Sequence, residues 1–184
     1  MSLPHALLTA LIERSCSGSE LARRFDRSIG FFWHATHQQI YRELARLEKA
    51  GWVRSLPPEP GRGRKKVYEV LQTGRDELKR WAGESQDSRP YREELMVRLR
   101  AEAVIGPTGI ENEIQRRLKA HRERLEHYRE LEKADFYATA ADPAPSYETQ
   151  IHHQILSAGI LVETFWIQWS EQTLALMSHA KKPV

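Results

Sequence analysis

One cysteine, Cys16, stands in a chain of 184 residues. A single thiol excludes an internal disulfide framework and any thiolate metal cluster within one chain, so Cys16 is expected at a loop or helix end. No run of 18 apolar residues exists, which leaves no segment long enough to span a membrane. The apolar stretch near the start has no basic leader before it, so no signal peptide is expected and the protein is placed in the cytoplasm. The sequence patterns of catalysis are missing too: there is no HExxH, no glycine-rich phosphate loop, and no serine or cysteine nucleophile elbow. His34 and His37, His121 and His127, and His152 and His153 form pairs, but none has convincing spacing with a carboxylate. His121 falls on the apolar side of its helix and reads as a helix-interface residue. Neither a catalytic residue, a metal nor a cofactor is expected.

What the chain does have is an uneven charge. Residues 1 to 82 hold 15 basic and nine acidic side chains, whereas residues 83 to 184 hold 13 and 16. A basic module joined to a mildly acidic one suits a polyanion-binding domain followed by an assembly or sensing domain. Aromatic residues make up 9% of the chain and include five tryptophans.

The first half alternates short helices with turn signals. Leu7, Leu8, Leu11 and Ile12 lie on one helical face within residues 3 to 13, with Pro4 tolerated in the first turn. Ser17 and Gly18 break the chain. Ser19 and Glu20 are expected to start a second helix that runs to Phe25 and buries Leu21 and Phe25. Residues 28 to 35 are too aromatic for a surface loop and are expected beneath the next helix. That helix is the best marked in the sequence. Ile40, Leu44 and Leu47 share one stripe, Thr36 with Gln39 forms a capping box, and Gly51 supplies a left-handed stop. Residues 52 to 56 and 66 to 71 then read as two strands around a loop rich in proline and glycine. A further helix over residues 73 to 81 is expected to use Thr73 and Asp76 as a cap pair and to turn Leu78 and Trp81 inward. Residues 83 to 90 are small, polar and helix-breaking, and are placed as the linker between a domain over residues 1 to 82 and another over residues 91 to 184.

Beyond the linker the pattern is wholly helical. Leu95, Leu99 and Ala103 are spaced by four within residues 91 to 104. Ile110, Ile114, Leu118, His121, Leu125, Tyr128 and Leu131 or Glu132 step by three or four through a long charged helix. The last helix, over residues 146 to 178, is apolar on most of its circumference and needs burial on two sides. Three helices cannot supply that surface, so a second chain is expected to cover Ile155, Leu161, Val162, Phe165 and Trp169.

The outward face of the 36 to 49 helix is rich in amide and basic side chains. Gln38 and Gln39 can bond adenine bidentately, Arg42 guanine, and His37 and Tyr41 a base edge or a phosphate, with Arg46 on the same exposed side. Gln38 and Arg42, one turn apart, are the expected base readers. Arg62, Arg64, Lys65 and Lys66 put four cations within five residues, a cluster that repels itself unless a polyanion lies nearby.

Taken together, SGSELARRFD, IYRELARLEKAGWV and RKKVYEVLQTGRDELKRW resemble the amino-terminal winged-helix domain of PadR-type transcriptional regulators over residues 3 to 82. The family order is kept by Tyr41, Leu44 and Leu47, by Arg64, Lys65 and Tyr68, and by Gly74. Leu71 stands where the family usually has the threonine that begins the fourth helix. The second half resembles longer-tailed members more loosely, by its helix layout and EELMVRLR. The resemblance implies a mainly α fold: an amino-terminal winged helix-turn-helix of three helices, a two-stranded wing and a fourth helix, followed by a carboxy-terminal helical dimerisation domain. It also implies a homodimeric repressor, less often an activator, bound to a two-fold operator in double-stranded DNA, with a small aromatic effector releasing it in several members. The tryptophan surplus (Trp33, Trp52, Trp81, Trp166, Trp169) suits such an effector, held by stacking between the winged domain and the last helix. The rival classes are a helical protein–protein adaptor, which leaves the basic wing unused, and a histidine-dependent enzyme.

Overall fold

The computed structural model describes residues 3–26, 35–57, 66–87, 90–137 and 145–180. The chain divides into two compact units, Met1–Arg89 and Pro90–Val184. In the first, helix α1 (Leu3–Glu13) leads through a two-residue strand β1 (Cys16–Ser17) to α2 (Gly18–Asp26), α3 (His37–Lys49), β2 (Val53–Leu56), β3 (Val67–Val70) and α4 (Gln72–Ala82). The apolar spacings of the sequence become one core. Leu7, Leu8 and Leu11 meet Leu21 and Phe25 of α2, Ile40, Leu44 and Leu47 of α3, and Val53 and Val70 of the sheet. Each such side chain, fully removed from water, contributes about 1.5–3 kcal/mol. Ala35 is buried in the same core, while residues 28 to 34 of the segment expected beneath α3 lie outside the described residues.

Instead of the two strands expected, the sheet has three, in the order β1-β3-β2. Cys16 pairs with Tyr68 and Ser17 with Val67, both antiparallel. The cysteine expected at a loop or helix end therefore sits buried in a strand, and burial pushes its thiol above the usual range. Two residues are too few to show a period-two pattern, so nothing local announced the strand. Helix α2 also begins earlier than expected: the Ser17 hydroxyl, not that of Ser19, accepts the Glu20 N–H at 3.3 Å.

The Thr73–Asp76 cap does not form. Leu71 occupies the N-cap of α4 and makes no side-chain cap bond. The Thr73 hydroxyl donates to the Gly51 carbonyl, and Asp76 accepts from the Gln72 amide at 2.8 Å. Docking sets this helix start: the Leu71 N–H donates to the Trp52 carbonyl at 2.9 Å, and Gly74 lies against the same carbonyl. A Cβ at Gly74 would stand 2.4 Å from that oxygen and 3.0 Å from Val70 Cγ1. Backbone cannot swing aside as a side chain does. Gly74→Ala is expected to cost about 1–3 kcal/mol through overpacking. Urea unfolding should show it as a lower midpoint at unchanged slope, and an unaltered midpoint would contradict this docking.

Leu78 packs against the same core, and Trp81 turns inward as expected. Its indole stacks on the His5 ring at 4.3 Å, and the Trp52 ring lies tilted to that of His5 at 6.3 Å. His5 Nε2 lies 3.1 Å from Glu77 Oε1. Arg80 first, and His5 second, hold the Glu77 carboxyl down to about 2.

The second unit holds α5 (Glu94–Ile105), α6 (Ile110–Glu132), a π-helical turn over Lys133–Tyr137, and α7 (Tyr147–Ala180). Helix α5 starts later than residue 91 because the Glu93 carboxylate caps it, accepting the Leu95 N–H at 3.0 Å. Its stripe is shorter than expected: Leu95 is buried and Leu99 packs beside it, but Ala103 is exposed. Gly106 and Gly109, at φ of +90° and +81°, make the break between α5 and α6. Leu95, Ile110 and Ile114 then form a small core covered by Leu99, Trp169, Leu174 and Met177. Among the described residues no helix is long and apolar enough to cross a membrane, and no group of histidine, cysteine or carboxylate side chains is placed to hold a metal ion.

Candidate nucleic-acid interface

Helix α3 is fixed at both ends by its own sequence. The Thr36 hydroxyl accepts the Gln39 N–H at 3.3 Å, and the Gln39 side-chain oxygen accepts the Thr36 N–H at 2.8 Å. These are the reciprocal bonds of a capping box. At the other end Gly51 takes a φ of +71°, a left-handed turn that a residue with a Cβ rarely adopts. Ile40, Leu44 and Leu47 anchor the inner face in the core. By helical geometry His37, Gln38, Tyr41, Arg42, Ala45, Arg46 and Lys49 come to the exposed side.

These side chains differ in how far they are committed. Gln38 and Arg42 reach solvent with no side-chain hydrogen bond or ion pair among the described residues. Gln39 is exposed, but its oxygen is spent on the cap and only its amide nitrogen is left to donate. Arg46 lies 3.2 Å from Glu43, although its side chain is 69% exposed. A pair so open to water contributes little and does not hold the guanidinium. Tyr41 packs over the first residue of α2, where a Cβ on Gly18 would meet the ring at 2.6 Å. Glycine at that point lets the second and third helices close together, a feature the sequence reading passed over.

Beside α3 stands the β2–β3 hairpin. Val53 pairs with Val70, Arg54 with Glu69, Ser55 with Tyr68 and Leu56 with Val67. Arg54 and Glu69 form an ion pair at 2.8 Å across the strands. Lys66 is exposed just before β3. Arg62, Arg64 and Lys65 lie outside the described residues. A second residue missed in the sequence is Glu48, in the last turn of α3, whose carboxylate accepts the Ser55 N–H at 3.1 Å. Hydrogen bonding to the Ser55 side chain, with a smaller effect from its N–H and from nearby Lys66, holds that carboxyl below the usual range.

In the second unit α7 carries apolar side chains both toward the small core and toward solvent. The side turned to α6 buries three polar side chains, Glu163, Ser170 and Thr173, alongside apolar ones: Trp169, Leu174 and Met177 pack on the core of Leu95, Ile110 and Ile114. His121 Nδ1 lies 2.5 Å from Glu163 Oε2, and Arg124 Nε donates to Glu163 Oε1 at 3.1 Å. His153 and Glu132 meet at 2.8 Å and Arg122 and Glu171 at 2.6 Å, so the two helices run antiparallel. His121 also stacks on Trp166 at 5.7 Å, which makes it the helix-interface residue expected of it. The outer side is apolar. Ile155, Leu161, Val162 and Phe165 are exposed by 46%, 69%, 52% and 54%. Trp169 differs from them, being half-buried against the small core. Ile151, Ile155, Ala158, Val162, Phe165 and Trp169 fall on one stripe of alternating three- and four-residue steps, which Leu176 resumes after Gln172, the rhythm of a helix that pairs with another.

Comparison with known proteins agrees with this geometry. Residues 7–80 match the transcriptional regulator PadR-like family, and residues 91–178 match the family described as virulence activator alpha C-term. A probable transcriptional regulator of Mycobacterium tuberculosis, Rv1176c, is 40% identical, over 98% of this chain and 100% of its own length. The Vibrio cholerae virulence activator AphA superposes with a TM-score of 0.80 at 31% identity, over 97% of this chain and 99% of that one. Bacillus subtilis PadR, solved in complex with operator DNA, has the same fold, with a TM-score of 0.80 at 23% identity over 96% and 98%.

Proposed function

This chain belongs to the PadR-like family of transcriptional regulators, and from that premise we propose that it works in the cytoplasm as a homodimeric repressor of a two-fold DNA site. The observation that carries this reading is helix α3: capped at its start, anchored by Ile40, Leu44 and Leu47, and bare on a face that offers Gln38 and Arg42. In each subunit α3 enters the major groove and the hairpin lies on the adjacent backbone. His37 and Tyr41 serve phosphates or base edges, while Gln39, Arg46, Arg62, Arg64, Lys65 and Lys66 supply donors and charge around them. Two copies meet along the apolar side of α7 through Ile155, Leu161, Val162, Phe165 and Trp169, and their two-fold relation sets the symmetry of the site. A bound dimer represses by covering the duplex. A small aromatic effector fits the same reading as a ligand that prefers the free conformation, since only such a preference releases DNA.

Selection of duplexes from a randomised pool tests this directly. The selected site should be two-fold, and affinity should fall with salt by about 0.9 log units per log unit for each phosphate neutralised. Arg42→Ala is expected to cost about 1–3 kcal/mol on that site and to flatten preference at one base position. Lys66→Ala should weaken selected and unselected duplexes alike. Equal losses of both kinds from both variants would mean that helix and hairpin have been given the wrong roles.

A further inference from the structure

Glu48 stands where a helix least favours a carboxylate. It occupies the last turn of α3, at the negative end of the helix dipole. What compensates is not a partner within the helix. The carboxylate reaches out to strand β2, where the backbone N–H of Ser55 donates to it at 3.1 Å. Strand β2 is an outer strand of the sheet, held on its other side by β3 alone. The bond therefore ties the end of α3 to the free side of the hairpin. Around it, Tyr68 faces Ser55 across the β2–β3 ladder and Lys66 lies two residues before Tyr68.

We infer that Glu48 is a positioning residue for DNA binding: it sets the hairpin at a fixed distance from α3, so that Lys66, just before the returning strand, meets the backbone beside the groove that α3 occupies. The inference rests on the DNA-binding reading given above. It concerns the reach of one side chain and not its charge, since a carboxylate near DNA would by charge alone repel phosphate.

That difference decides the test. Glu48→Asp keeps the charge and removes the reach; Glu48→Gln keeps the reach and an acceptor oxygen and removes the charge. Both full-length variants are titrated by fluorescence polarisation, over a range of salt, with a duplex selected by the parent chain and with an unselected random duplex. Glu48→Asp is expected to weaken both duplexes by a common factor on the order of ten and to make the salt slope shallower by about one phosphate's share. Glu48→Gln should keep the parent slope and bind at least as tightly. Amide exchange at Ser55, read relative to the other amides of α3 and β2 so that a change in overall stability cancels, should be fast in Glu48→Asp and slow in Glu48→Gln. The opposite pattern, parent-like binding by Glu48→Asp with tighter binding and a steeper slope for Glu48→Gln, would show that Glu48 acts through charge and would overturn the inference. So would a Glu48→Gln variant with a shallower slope. A parent chain that binds no duplex at low salt removes the DNA-binding reading itself, and the inference with it.

Discussion

Replacing Val162 and Phe165 together by aspartate is expected to leave the chain monomeric and without binding to a two-fold site, if the dimer proposed above forms through α7. Both side chains project from α7 with about half their surface in water, 52% and 54%. Covering the exposed half of each yields roughly 1 kcal/mol, from the burial of a large apolar side chain. A two-fold contact uses every residue twice, so the two positions supply about 4 kcal/mol. Aspartate would forfeit that and would also bring four carboxylates into an apolar seam, where an unpaired charge costs far more. At about 1.4 kcal/mol per factor of ten, the dimer constant should fall at least a thousandfold. Sedimentation at micromolar concentration would register it. A doubly substituted chain that still sediments as a folded dimer would place the contact elsewhere.

Loss of Glu163 is the second large effect expected. Its carboxylate is buried in the α6–α7 seam, facing the His121 ring and the Arg124 guanidinium. Truncation to alanine removes the acceptor the two share and leaves them only their contact with each other, Arg124 Nη2 to His121 Nδ1 at 2.7 Å. Removing one member of a fully buried ion pair costs about 3–5 kcal/mol. Here the Arg124 side chain is 46% exposed and recovers water, so the low end of that range, about 3 kcal/mol, is expected. Glu163→Gln, which keeps an acceptor oxygen, should cost less. Hydrogen exchange of the α7 amides reports the loss locally; equal protection in the parent and in Glu163→Ala would mean that the seam is held by other contacts.

How much of this was legible in the sequence depends on how local each cause is. Both ends of α3 could be read because their chemistry lies within a few residues: Thr36 with Gln39 at one end, Gly51 at the other. The exposed side of α3 followed from where Ile40, Leu44 and Leu47 fall. The start of α4 could not be read, since Leu71 and Gly74 answer to the Trp52 carbonyl, 19 and 22 residues back along the chain, and not to Thr73. Strand β1 exists only because β3 lies beside it. In α7 the excess of apolar residues was plain, but its arrangement was not. Glu163, Ser170 and Thr173 look like interruptions along the sequence, and in the fold they line up against α6. Trp52, Trp81 and Trp166, counted toward an effector, stack or pack against His5 and His121. The bond from Glu48 to Ser55 has no signature in spacing at all, because it joins a helix to a strand across a turn.

The small sheet has one more consequence, for behaviour at high concentration. A sheet edge with unpaired N–H and C=O groups is a template on which another chain can add a strand, and proteins that leave long flat edges open tend to aggregate. Here one outer strand is two residues long and the other four. The longer carries Arg54, and its Ser55 N–H is already engaged by Glu48. Among the described residues neither edge offers a run that a second copy could extend into a ribbon. Through the described strands, copies of the winged unit thus have little means of sticking to one another edge to edge.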